Sequence, residues 1–280
     1  MIRLSHCCFN PGKTSSIRRR FWLIILTGIT SLSVLASLSS TVNARVSPTI
    51  TPIDTGLSVP ESGEPVILQP GNDARLVSPL NLKLVTKPGE DGQIRIELIG
   101  HDNRMIFRRL LDYPDFVGKT LVIEQEIPFE VRADEKARLQ VILEDRKGKV
   151  NFLTSVQLTL LKIKGSETAG DSPVNPRIKI EMPEPGSSVK GSELVVKAGY
   201  KPINDTPVVV EVLASDWHTL TSKILKITIP ADQTAYTPIE VKLPVKTSSK
   251  LPVTIRIRQE SNNLINGSVF MWSEKATLTP

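Results

Sequence analysis

Ile94-Arg95-Ile96-Glu97-Leu98-Ile99 alternates apolar and charged residues, and its counterpart 114 positions later is Val208-Val209-Val210-Glu211-Val212-Leu213. The surroundings recur with it. Pro70-Gly71 stands upstream of the first stretch, followed by Leu80, Leu82 and Leu84 alternating with Asn81 and Lys83. Pro185-Gly186 and then Leu194-Val195-Val196-Lys197-Ala198 stand in the same order before the second. A period of two over this length buries one face and wets the other, so these stretches read as strands. The chain is organised around one unit used twice.

Working outward, each unit continues as strand after strand. Pro88-Gly89-Glu90-Asp91-Gly92, Gly100-His101-Asp102-Asn103 and Asp145-Arg146-Lys147-Gly148-Lys149 are turns in the first copy. Between them lie strands at Met105–Leu111, Leu121–Ile127, Leu139–Leu143 and Val150–Ile163. The second copy has strands at Val208–Leu213, Leu225–Ile229, Ile239–Leu243 and Leu251–Ile257, with a final one starting at Val269. About seven short strands per copy, frequent turns and no convincing amphipathic helix form the pattern of an all-β chain of two sandwiches. The expected boundaries are residues 65–164 and 177–280, with 165–176 (rich in Gly, Ser and Pro) as a linker.

The first 44 residues have a different character. Arg18-Arg19-Arg20 precede the apolar run Phe21-Trp22-Leu23-Ile24-Ile25-Leu26, which thins towards Leu38, and Val42-Asn43-Ala44 places small residues where a signal peptidase cuts. Residues 1–44 therefore read as a secretory signal, or as a retained anchor holding the chain in the inner membrane by residues 21–38. The expected location is secreted or periplasmic. Residues 45–64, rich in Ser, Thr and Pro, read as a disordered tether.

The charge balance follows this division. Residues 45–280 hold 30 Lys/Arg against 29 Asp/Glu, so the formal excess of +6 belongs almost entirely to the leader. A nucleic-acid partner is not expected. Both cysteines, Cys7 and Cys8, precede the apolar run, which leaves the remainder with no disulfide, thiolate metal site or cysteine nucleophile. The two sandwiches must be held by their hydrophobic cores.

Pro70-Gly71 followed by Val77-Ser78-Pro79-Leu80, and Pro185-Gly186 followed by Val189, resemble the opening strands of bacterial immunoglobulin-like domains, a kind found in exported and spore-germination-type proteins. The resemblance implies two tandem Ig-like or fibronectin-like sandwiches serving spacing, adhesion or complex assembly. It brings no catalytic residues. The chain departs from antibody-type domains in having no cysteine pair, and its first copy has no tryptophan.

Chemical equipment is sparse. His101 and His218 occupy matching turns of separate copies, and a Ser/His/Asp triad would need one of them beside a serine and a carboxylate. Asp112 and Asp115 flank Tyr113-Pro114 as turn residues, and Glu124 and Glu126 share one strand face. No calcium loop, phosphate-binding glycine loop, metal set or cofactor motif is present, so no enzyme activity is expected. The turns where the copies diverge, His101-Asp102 in the first and Trp217-His218 in the second, are the candidate contact residues. Trp217 or Tyr236 is the expected stacking platform if the ligand is a sugar. The expected function is a binding, adhesion or assembly module of the cell envelope with a protein or glycan partner. The alternative is a carbohydrate-binding accessory module of an extracellular enzyme system. Membrane contact is expected only through an uncleaved leader.

Overall fold

The computed structural model describes residues 48–52, 63–171, 176–232, 235–261, 265 and 267–280. The expected signal or anchor, residues 1–44, lies outside them. Among the described residues there are strands, one short 3₁₀ turn at Pro114–Phe116, and no helix long and apolar enough to cross a membrane.

The first sandwich contains β1 (Thr49–Pro52), β2 (Val66–Gln69), β3 (Ala74–Leu76), β4 (Leu80–Thr86), β5 (Gln93–Gly100), β6 (Met105–Asp112), β7 (Leu121–Ile127), β8 (Glu135–Glu144) and β9 (Val150–Leu160). One sheet has the order β1-β7-β4-β2, and the other runs β9-β8-β5-β6 with β3 parallel to β9. The second sandwich contains β10 (Ile178–Met182), β11 (Ser188–Lys190), β12 (Glu193–Tyr200), β13 (Val208–Ala214), β14 (Thr219–Leu225), β15 (Thr237–Pro244), β16 (Leu251–Glu260) and β17 (Ser268–Thr279). Its sheets are β10-β12-β15 and β14-β13-β16-β17, with β11 parallel to β17. The recurring Pro-Gly now has a structural meaning. Pro70-Gly71 and Pro185-Gly186 stand where the opening strand leaves one sheet and joins the other, a switch that interrupts the ladder where proline has no donor to give.

The alternation fills the cores as its period requires. Ile94, Ile96 and Leu98 face Leu80, Leu82, Leu84, Leu121 and Ile123 in the first core, and Val208, Val210 and Val212 join Phe270 and Trp272 in the second. Trp272 is 1% exposed, so the last strand turns both of its alternating aromatics inward. The outward residue of the central strand is also covered. Glu97 is held by Arg95 at 3.2 Å and Arg108 at 3.3 Å, and the amide of Gln140 donates to it at 2.7 Å. Its counterpart Glu211 is clamped by Arg256 at 2.6 Å and Arg258 at 3.1 Å. A second repeated ion pair joins β4 to β7 (Lys83–Glu124, 2.8 Å) and β12 to β15 (Lys197–Glu240, 3.2 Å).

The two sandwiches share a sheet. β17 pairs antiparallel with β9 through Met271–Leu153 and Trp272–Phe152, which makes the two larger sheets continuous. Phe152 packs against both cores. Buried Arg138 donates from Nη1 to the Ile265 carbonyl at 3.1 Å and from Nε to Gln140 at 3.1 Å. The Ser155 hydroxyl donates to the Val269 carbonyl at 2.7 Å.

Three expectations need correction. The stretch 45–64 is not wholly a disordered tether: Thr49–Pro52 pairs with β7, because the outward N–H and C=O groups of that edge need partners and Thr-Ile-Thr suits a strand. Glu64, at 1% exposure, is buried against the second sandwich and accepts a hydrogen bond from the Arg177 backbone N–H. Residues 53–62 of that stretch lie outside the described ones. The linker is fastened as far as it is described, since Thr168 and Asp171 exchange backbone bonds with Arg75 and Asn72 and the Ala169 carbonyl accepts from Gly71 N–H. A Cβ at Gly71 would lie 1.9 Å from the Asp171 carbonyl oxygen, so only glycine admits this approach. Residues 172–175 again lie outside the described ones. Finally, no strand forms over the expected Leu225–Ile229: β14 lies before it, at Thr219–Leu225, and Ile227 is buried outside any strand.

Candidate functional site

The two candidate turns are built on one plan. Gly100 N–H donates to the Arg104 carbonyl and Ala214 N–H to the His218 carbonyl, closing hairpins β5–β6 and β13–β14 in the same way. In each, an Asp at the second turn position accepts a backbone N–H two residues on: Arg104 N–H to Asp102 at 3.1 Å, and His218 N–H to Asp216 at 3.3 Å. These bonds are the first cause holding both carboxyls below the usual Asp range. The third turn position takes a left-handed backbone in both, with φ +63° at Asn103 and +71° at Trp217. Asn tolerates that region readily. A tryptophan there is an outlier, and such outliers cluster where a side chain is held out for use.

The surroundings differ. His101 Nδ1 lies 2.6 Å from Glu135 Oε2, and Arg104 bonds both oxygens of the same carboxylate as well as Asp102 at 3.2 Å. His101, Asp102, Arg104 and Glu135 thus form a closed charge cluster, and together with Glu130, Arg132 and Asp134 they line a depression of about 810 Å³. His218 is exposed and, among the described residues, its ring bonds its turn neighbour Asp216. The structure brings His101 and Asp102 to one place and Trp217 and His218 to another. Tyr236 belongs to neither: its hydroxyl donates to the Pro176 carbonyl at 3.0 Å, and Lys201 Nζ sits 4.4 Å from its ring centroid.

Trp217 borders a cleft of about 400 Å³ where the two sandwiches meet. The second sandwich contributes Trp217, Ser215, Thr254, Thr277 and Lys275, and the first contributes Asn151 and the β8–β9 turn Asp145-Arg146-Lys147. Junctions between domains are favoured places for small-ligand sites, and this volume lies in their usual range of about 300–1,000 Å³. The guanidinium of Arg256, paired with Glu211, lies 5.9 Å from the centroid of the Trp217 ring. Asp145 accepts backbone N–H groups from Lys147 and Lys149, both at 2.8 Å, which occupies it in shaping its own turn. Glu90 is paired with Lys275 across the opening. Arg146 reaches only the Glu90 carbonyl, at 3.4 Å, and neither it nor Lys147 has a carboxylate partner among the described residues. Sequence reading found Trp217 but took Arg146 and Lys147 only as a charged turn. The turn itself was visible, and its opposition to Trp217 was not.

Beyond the cleft, the described residues hold no group of three His, Cys, Asp or Glu arranged for a metal ion. The Asp112–Asp115 pair flanks the 3₁₀ turn, and Glu124 and Glu126 point outward from β7.

No protein-family model matches the chain, and no curated protein matches it. Solved structures that match include the titin domains Z1Z2 in complex with telethonin, at 12% identity over 77% of this chain and 95% of that one, with a TM-score of 0.21. A marsupial T cell receptor matches at 9% identity over 77% and 73% of the two chains, TM-score 0.24. CBD12 from CALX1.2 matches at 9% identity over 76% and 99%, TM-score 0.19. The fold described above stands on its own strand order: two Ig-like β-sandwiches joined through a common sheet.

Proposed function

We propose that this chain is a non-enzymatic, exported binding module of the cell envelope, a bacterial tandem of Ig-like sandwiches of the kind found in exported and spore-germination-type proteins, that engages a protein or glycan partner at the cleft between its two sandwiches. The observation that carries the reading is Trp217, held in a left-handed conformation on a tight hairpin at the mouth of that cleft. The shared sheet supports it from below, because a site spanning two domains needs both walls fixed, and the β9–β17 ladder fixes them. The basic cluster and apolar run at Arg18–Leu26 support export, with the leader either cleaved or kept as an inner-membrane anchor. A role outside catalysis agrees with His218 bonding its own turn carboxylate Asp216 and with His101 sharing Glu135 of β8 with Arg104.

The test is capture from envelope extract by the full chain and by its Trp217→Ala variant. A partner retained by the first and lost by the second is the expected result. Equal capture by both would remove the cleft from the reading.

A further inference from the structure

We infer that the cleft takes an acidic saccharide, a sugar ring carrying a carboxylate or another fixed negative charge. The inference rests on the reading of the cleft as the binding site and names the chemistry that site would recognise. Three features point the same way. Trp217 offers a flat apolar surface of the kind on which the C–H face of a pyranose stacks. Thr254, Thr277 and Asn151 supply hydroxyl and amide groups around it, which can both donate and accept towards ring hydroxyls. Across the cleft, Arg146 and Lys147 are cations with no carboxylate partner among the described residues, and the two acids on the lining, Glu90 and Asp145, are already occupied by Lys275 and by turn N–H groups.

Size adds a limit. The ion pair Glu90–Lys275 separates this cleft from a neighbouring hollow of about 240 Å³ lined by Gly63, Phe152 and Glu274. A short oligosaccharide fits on the Trp217 side, and a longer chain would have to part that ion pair.

The experiment titrates the full chain with digalacturonate, with lactose as the neutral ring and with inorganic phosphate as the charge alone, and follows binding calorimetrically. Digalacturonate should bind at least about tenfold more tightly than lactose, a difference of about 1.4 kcal/mol. Trp217→Ala should weaken it at least about tenfold, in keeping with the usual cost of losing a stacking platform. Arg146→Gln with Lys147→Gln, exposed turn substitutions that leave the core untouched, should bring digalacturonate down to the lactose level and remove the salt dependence. Lactose binding as tight as digalacturonate, phosphate competing with equal strength, or no digalacturonate binding at all would each overturn the assignment. Failure here with Trp217-dependent capture from envelope extract intact would sink the acidic saccharide and leave the binding cleft standing. Loss of both would sink the two together.

Discussion

Glu64 should make the stability of this protein fall as pH rises. The carboxyl is buried just before β2, against the start of β10, where its Oε1 accepts the Arg177 backbone N–H. The charged groups facing it are Arg177 and Lys201, with Tyr200 and Tyr236 nearby and Asp232 beyond Lys201. Loss of hydration outweighs these partners and pushes its pKa up from 4.5 to about 7. The folded chain therefore holds a proton that the unfolded chain has released between those two values. Below pH 4.5 both states are protonated and the site costs nothing. Through the window up to pH 7 the folded state loses stability, and above it the full cost of about 3 kcal/mol is present. In Glu64→Gln the amide oxygen still accepts the Arg177 N–H and no charge is buried. Every other carboxylate titrates in both proteins, so the difference between them isolates this group. Urea unfolding of the two chains should show midpoints that coincide near pH 4 and separate by pH 8, the variant being the more stable by roughly 1 M urea for a slope of about 3 kcal/mol/M. A gap that stays constant from pH 4 to pH 8, or one with wild type ahead at pH 8, would refute the argument.

Trp217→Gly should abolish partner binding without destabilising the fold, because glycine relieves a φ of +71° worth about 1 kcal/mol while the lost Arg256 stacking offsets a similar amount; a thermal midpoint lowered by more than about 5 °C contradicts this. Arg138→Ala should cost about 3 kcal/mol in urea unfolding, since it takes the donor from the buried Gln140 Oε1 and removes a bond that reaches the second sandwich at the Ile265 carbonyl; a cost below about 1 kcal/mol means the junction does not depend on it. Replacing both Pro238 and Pro244 with Val should raise the mass seen by light scattering as concentration rises, because it restores two outward donors on the β15 edge; a mass no larger than that of the wild type at every concentration would mean that these prolines do not protect the edge.

The strands were legible because period two is a direct imprint of half-burial. Leu80, Leu82 and Leu84, or Ile239, Val241 and Leu243, announce their buried face in the sequence, and the structure buries them. The matching turns were legible for a related reason: Asp102 and Asp216 form the same local bond, and local bonds need only local residues. What alternation concealed was the outward side. Glu97 and Glu211 read as wet positions, yet Glu97 is covered by Arg95 of its own strand and Arg108 of β6, and Glu211 by Arg256 and Arg258 of β16. The cleft was hidden in the same way. Arg146 and Trp217 lie 71 positions apart in a pattern that says nothing of how the copies meet. Thr49–Pro52 was misread because a four-residue edge strand has too little apolar surface to show a period, and its pairing is supplied by β7.

The way the copies meet explains both the rigidity of the molecule and its opening. Leu153 in β9 and Met271 in β17 hold equivalent places: each stands next to the residue that faces the partner of the central strand, Val141 opposite Ile96 and Ile257 opposite Val210. These equivalent residues pair with each other, so the junction has a local two-fold axis within one chain, as in an isologous dimer interface. A unit that used its last strand to meet a copy of itself would meet it in this geometry. The other edges show why the junction formed at this strand. The outer side of β7 is covered by β1, while β15, its counterpart, has no described strand upon it. Proline in a ladder sits where its missing N–H would face away from its neighbour. Pro238 and Pro244, opposite Gly199 and Glu193, therefore turn donor-less backbone outward and leave the edge unfit for pairing. The β9–β17 ladder itself stops after two residue pairs, and the strands part towards Asn151 on one side and Lys275 on the other. That parting is the cleft. One short ladder fixes the two walls, and its early end leaves the space between Trp217 and the Arg146-Lys147 turn.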